Sequence, residues 1–210
     1  MTLRWRGWEL TPFGAFDHVL LSQSTYLRNA SQGLRLTRKL APRVDGWAEF
    51  RREDQSFVRT PLIVNADDRT GDQFDYSLGA SWAATPRDRF GATLLHRRKY
   101  AKAVAFAYRR ESIGVDYTRL LGRGMFLATG ITGQFDRYDR PDRAISHLGR
   151  EDDAFTATLQ YGAPLDLLWS PLKGFTAVLG VERFQQTSNL LNYDYSNNRV
   201  SGTVAYKWGI

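Results

Sequence analysis

The side chains best suited to acid–base or metal chemistry are the three histidines, His18, His96 and His147, and two acid-rich stretches. Asp17-His18 has the residue types of a dyad. Neighbours in an extended strand point to opposite faces, however, and a working pair needs i, i+2 spacing or facing strands. His96 continues the alternation Phe90, Ala92, Leu94 and belongs to an apolar face, where an amphipathic anchor is its natural role. Ser146, His147 and Asp142 have the types of a hydrolytic triad, but they sit in a polar loop with no rigid element to align them. DRYDRPDRAISHLGREDD (136–153) and ADDRTGD (66–72) are rich in carboxylates, yet arginines interrupt the oxygen spacing that a calcium loop requires. Dispersed histidines give no convergent ligand set, and the chain has no cysteine. We expect no catalysis, no metal and no cofactor.

The informative charged residues are Glu49, Arg51, Asp75, Arg97, Asp116, Glu182, Arg199 and Lys207. By the parity of their strands all eight fall on the face opposite the apolar one. Two readings of such a polar face stay open. It is a selectivity lining or gate for a translocated substrate, or it is a salt-bridged filling that leaves no pore.

Period two dominates the elements that must position these groups. Phe74, Tyr76, Leu78, Ala80 and Trp82 alternate with Asp75, Ser77, Gly79 and Ser81, and Phe155, Ala157, Leu159 and Tyr161 with Thr156, Thr158, Gln160 and Gly162. About ten such segments are expected, near 9–20, 30–40, 44–54, 73–83, 88–98, 106–121, 125–136, 152–163, 174–186 and 197–210. Short junctions at 40–43, 84–87, 121–124 and 164–173 alternate with longer polar links at 21–29, 55–72, 137–151 and 187–196. That alternation predicts an all-β, antiparallel up-and-down transmembrane barrel of about ten strands, with short periplasmic turns and longer extracellular loops.

Composition supports this class. The 210 residues are read as a single domain (1–210), and no run approaches the ~18 apolar residues of a spanning helix. The opening MTLRWRGWEL is basic without the apolar stretch of a secretory signal, so a removed leader and an excision from a longer chain both stay open. The net charge of +7 is carried by scattered arginine doublets with acids between them, and no DNA-binding motif accompanies them, which excludes a nucleic-acid partner. A soluble barrel would show Lys and Glu on its second face. Here that face is Gly, Ser, Thr, Ala and Gln, as a crowded lumen requires, with Leu95 among them, while Arg38 falls on the apolar side. Trp5, Trp8, Phe74, Trp82, Phe90, Tyr161, Phe175 and Trp208 lie near strand ends, where an aromatic girdle belongs.

The terminal alternation Tyr206, Trp208, Ile210 resembles the signal by which outer-membrane proteins are recognised for insertion. The stretch SNLLNYDYSNNRV (188–200), with LAPRVDGWAEFRRED (40–54) and residues 82–98, resembles the barrels of surface lipoprotein assembly modifier proteins and related repeat-plus-barrel exporters. The resemblance implies the outer membrane of a Gram-negative bacterium and a non-catalytic role in transport or export to the cell surface. Its implied partners are membrane lipid and lipopolysaccharide, the insertion machinery, and an exported lipoprotein or other protein subunits. The alternative is a structural or interaction barrel whose loops bind lipopolysaccharide, polysaccharide or a partner protein.

The two faces give the first testable expectation. Leu159→Arg, on the apolar side at mid-strand, should cost about 2–4 kcal/mol in folding stability measured in bilayers. Thr158→Arg should cost less. The reverse order would turn the faces inside out.

Overall fold

The computed structural model describes residues 2–60, 62–63, 65–143 and 145–206. They form one antiparallel sheet of eleven strands in chain order. The strands are β1 (Leu3–Trp5), β2 (Trp8–Leu21), β3 (Ser24–Ala41), β4 (Val44–Phe57), β5 (Gly71–Ala83), β6 (Asp88–Lys99), β7 (Tyr108–Gly122), β8 (Met125–Tyr138), β9 (Glu151–Pro164), β10 (Phe175–Ser188) and β11 (Tyr195–Tyr206). Among the described residues there is no α-helix, only five short 3₁₀ turns. β2–β11 coincide with the ten expected segments. β1 is an addition: three residues are too few to show a period.

Two-residue turns need positive φ at their centre. Arg6-Gly7 and Arg123-Gly124 meet this with a glycine in second place. The β2–β3 connection does not fit expectation, because a tight turn through Ser22 (φ 49°) and Gln23 (φ 68°) stands where a loop over 21–29 was expected. The backbone there is left-handed without glycine, so the usual punctuation is missing. An eight-residue link over 100–107 carries a 3₁₀ turn at Val104–Phe106 and joins β6 to β7. The connections at 58–70, 100–107, 139–150 and 189–194 share one end of the sheet with the Ser22-Gln23 turn, and those at 6–7, 42–43, 84–87, 123–124 and 165–174 share the other.

The expected closure into a barrel is absent. No pairing joins β11 to β1 or β2 among the described residues, and all twelve residues of β11 are exposed. Strand parity supplies the reason. With eleven strands the edges β1 and β11 run in the same direction, so they cannot close an all-antiparallel ring. The ten long strands do end in antiparallel edges, β2 and β11.

Exposure alternates along the strands and tells the faces apart. Along 75–83 of β5, 90–97 of β6 and 179–188 of β10 the residues of the polar face are buried or half-buried, while those of the apolar face are exposed. A flat sheet would expose both faces alike, so the sheet curls around its polar face. Leu179 is 63% exposed and Val200 81%, whereas among the described residues the only buried hydrophobic ones are Ala66 and Ala107. Aromatic rings fill the curled face at glycines: a Cβ on Gly79 would lie 2.3 Å from the Trp47 ring, and one on Gly162 would lie 2.1 Å from Phe126.

This packing is testable. Gly79→Ala drives a methyl into Trp47 and should lower stability by about 1–3 kcal/mol in urea unfolding. Gly202→Ala meets nothing nearer than Leu179 at 3.7 Å, and should stay within about 0.5 kcal/mol. Equal effects would contradict the tight fit.

Candidate functional site

The site is built by register. Pairing aligns Arg51 (β4), Asp75 (β5), Arg97 (β6), Arg110 (β7), Asp136 (β8) and Asp152 (β9) in one cross-strand row on the curled face. The next row toward the long loops brings Glu53, Gln73, Lys99, Tyr108 and Tyr138 side by side. Alternation puts these residues on one face, and the register between strands sets which of them share a row.

Within the first row, charges pair across strands. Asp75 is 4% exposed and accepts from Arg97 through both oxygens at 2.8 Å and from Arg51 at 3.2 Å. Arg51 also reaches Glu53 at 2.8 Å. Arg97 and Arg110 stand directly opposite each other, a repulsive placement. Each turns to its own acid, Arg110 binding both oxygens of Asp136 at 2.6 Å. Arg150 completes the set against Asp152. Such forked guanidinium–carboxylate bonds are the strong, directional kind. Gln73 and Gln55 both donate to Glu53, at 3.2 and 2.9 Å, and satisfy its remaining capacity.

Of the charged residues expected on this face, the structure brings Arg51, Asp75 and Arg97 together. Glu49 lies 3.5 Å from Arg35, and Glu182 pairs with Arg199 at 3.0 Å on the same face but toward the short turns. Asp116 stands alone over Gly91, without an ion-pair partner among the described residues. Gly91 lies six residues from Arg97, roughly 20 Å along the strand. Lys207, Trp208 and Ile210 lie outside the described residues. The buried partners Glu53, Gln73, Lys99, Arg110, Asp136 and Asp152 were not singled out from the sequence, although parity with Asp75 and Arg97 marks them.

All seven described girdle residues lie on the apolar face. Trp82, Phe90 and Tyr117 form a ring chain near the short turns at 5.6 and 4.8 Å, and Phe175 meets Tyr206 at 4.6 Å. Trp5 pairs with Trp8 across β1 and β2, and Tyr161 faces Leu179. Phe74 packs with Phe50 and Tyr100 toward the loop end. Leu95 lies on the curled face opposite Ser77, and Arg38 lies on the apolar face, 4.7 Å above the Trp8 ring.

The histidines stay apart. Asp17 accepts from Asn29 on the curled face while His18, on the other side, bonds Thr25 at 2.9 Å. His96 meets Glu111 at 2.7 Å on the apolar face. Ser146 Oγ accepts the amide of Leu148 in a local turn. Among the described residues no group of three or more His, Asp or Glu could hold a metal ion. The acidic stretches are paired mostly with cations outside them, Asp67 with Arg59 and Lys102 at 2.8 and 2.7 Å and Asp139 with Arg98, while Asp153 meets Arg137 within its own stretch. No family model matches the sequence, and a search of the curated proteins finds no significant match.

Two expectations follow. Asp75→Ala would leave Arg97 buried and uncompensated, costing about 3–5 kcal/mol. Asp116→Ala should be nearly neutral in the same unfolding measurement. Hydrogen bonds from Arg59 and Lys102 hold the Asp67 carboxyl well below the ordinary aspartate range. A lowered folded value means that the loop pin is intact above the unfolded pKa and is lost only as pH falls through the folded one. NMR titration should therefore place Asp67 below a free aspartate, and Arg59→Gln should move it back up. An ordinary midpoint in the unmodified protein would contradict the pin.

Proposed function

We propose that this chain is an outer-membrane β-barrel protein of a Gram-negative bacterium that assists the passage of a macromolecule or lipoprotein to the cell surface, without chemistry of its own. One observation carries the reading. The buried carboxylates Glu53, Asp75, Asp136 and Asp152 lie on the inside of the curl, each paired with an arginine, and the large apolar side chains are exposed on the outside. Water would favour the opposite partition, whereas lipid outside and a polar interior favour this one. A shallow trough of about 690 Å³ on the apolar face, walled by Leu36, Phe50, Tyr76, Leu78 and Ile113, suits acyl chains.

In lipid, unpaired sheet edges are not tolerated. The reading therefore requires the free edge of β2, from Thr11 to Leu21, to pair with the antiparallel β11. The aromatic clusters around Phe74 and Trp82 lie eight residues apart on β5, roughly 26 Å along the strand. That span suits an apolar band of about 25 Å on tilted strands. In the Phe74 row the outer face carries Arg52, Arg98, Arg109 and Arg137; Asp72, Asp139, Glu151 and Asp153 hold three of them, which leaves Arg109 for lipopolysaccharide phosphates. Tyr206 and the residues after it suit the insertion machinery. Paired charges fill the interior, so a salt-bridged filling is preferred over an open lining, and a barrel of this size leaves little free lumen.

The alternative, an interaction barrel, draws on one feature, the cation-rich pocket among the long loops. Cells lacking the protein decide between the two. On the export reading, protease shaving finds at least one surface lipoprotein or protein retained in the periplasm, while the purified barrel conducts little or no steady current in planar bilayers. An unchanged surface favours the interaction reading, and large stable conductance or a soluble chain contradicts both.

A further inference from the structure

The pairing on the curled face leaves positive charge over at its loop end. Four guanidiniums, Arg51, Arg97, Arg110 and Arg150, meet four carboxylates, Glu53, Asp75, Asp136 and Asp152. Lys99, one row further out, is 4% exposed and has no carboxylate within ion-pair distance among the described residues. Its ammonium donates to Gln55 Oε1 at 2.7 Å and to the Gly71 carbonyl at 3.2 Å, which uses two of its three N–H groups. Arg69, from the loop between β4 and β5, likewise has no acid and donates to the Tyr26 hydroxyl at 3.1 Å. Lys99, Arg69 and Arg150 line a pocket of about 400 Å³ that no carboxylate lines. Glu53, Asp54 and Asp72 act on Lys99 only from beyond contact; a buried cation so weakly compensated is costly, and an anion entering the pocket would lower that cost.

The walls say what else the anion carries. Arg150 lies between the rings of Tyr193 and Tyr138, at 3.4 and 4.6 Å from their centroids. Tyr108 packs on Tyr138 at 5.3 Å, and Phe57 and Phe106 stand by Lys99 and Arg69. Flat apolar walls with polar tips fit a ring-shaped ligand that is apolar on its faces and polar at its rim. The volume falls within the range of about 300–1,000 Å³ typical of small-molecule sites, beyond what a bare inorganic anion fills.

We propose that this pocket binds an acidic sugar, with the sugar carboxylate between Lys99 and Arg69 and the ring against the tyrosines. The site stands on the curled face alone, so its failure would leave the export reading untouched, and the failure of export would leave the site. The test is calorimetric titration of the whole detergent-solubilised protein with galacturonic acid, its uncharged counterpart galactose, and inorganic phosphate. Galacturonic acid should bind, and both comparison ligands should bind at least about tenfold more weakly, the discrimination expected of a charge-assisted bond. Arg69→Gln and Lys99→Met should each weaken galacturonic acid by about tenfold or more, while Arg109→Gln, on the outer face, should leave it unchanged. Because Lys99 is buried, the loop variant Arg69→Gln carries the test if Lys99→Met fails to give a β-rich circular dichroism spectrum. No binding at millimolar concentration, equal binding of galactose or of phosphate, or indifference to Arg69→Gln would each overturn the proposal.

Discussion

Asp75 accepts hydrogen bonds from two arginines on two neighbouring strands, and it does so almost out of reach of water. A charge that has lost its hydration must be matched by partners at hydrogen-bond distance, or the fold that buries it does not persist. The same condition is met at Asp136 and Asp152, each by a guanidinium. The sheet can curl around its polar side because these charges neutralise one another across strands. An isolated run of arginines opposite arginines, as at Arg97 and Arg110, would push the strands apart.

The rest of the architecture follows from that face being inside. Small residues and glycines admit the Trp47 and Phe126 rings, so bulk from one strand fills the space its neighbour leaves open. The outer face is then free to be mainly apolar, bounded by aromatic clusters and, toward the long loops, by ion pairs such as Arg52–Asp72 and Arg98–Asp139. The loops at that end are drawn in by charge, with Arg59, Asp67 and Lys102 tying one to the next. Among the described residues the pattern stops without a partner at β1 with the uncovered length of β2, and at β11.

Much of this was legible in the residues. Alternation at Phe74–Trp82 and at Phe155–Gly162 assigned both the strand and the face, because period two is a geometric consequence of the pleat. Arg51, Asp75 and Arg97 could be placed together on one side for the same reason. The Ser22-Gln23 turn was not legible, since its backbone conformation is held by the strands around it and not by a glycine. The depth of the buried row was also hidden. Arg110, Asp136 and Asp152 share the parity of their neighbours, but which of them meet depends on the stagger between strands, and a single sequence does not carry that. Asp116 shows the converse: correct in face, it sits some 20 Å from the row it was grouped with.

The central claim is that the polar face is inside and the apolar face meets lipid. Spin labels placed singly at 73–82 on β5, in the protein reconstituted into bilayers, test it most directly through collisions with oxygen and with a water-soluble nickel reagent. The account predicts a strict two-residue alternation, with oxygen favoured at positions 76, 78 and 80 and low access for both reagents at 75, 77 and 79. Uniform access to the nickel reagent, or an alternation of opposite phase, would contradict it.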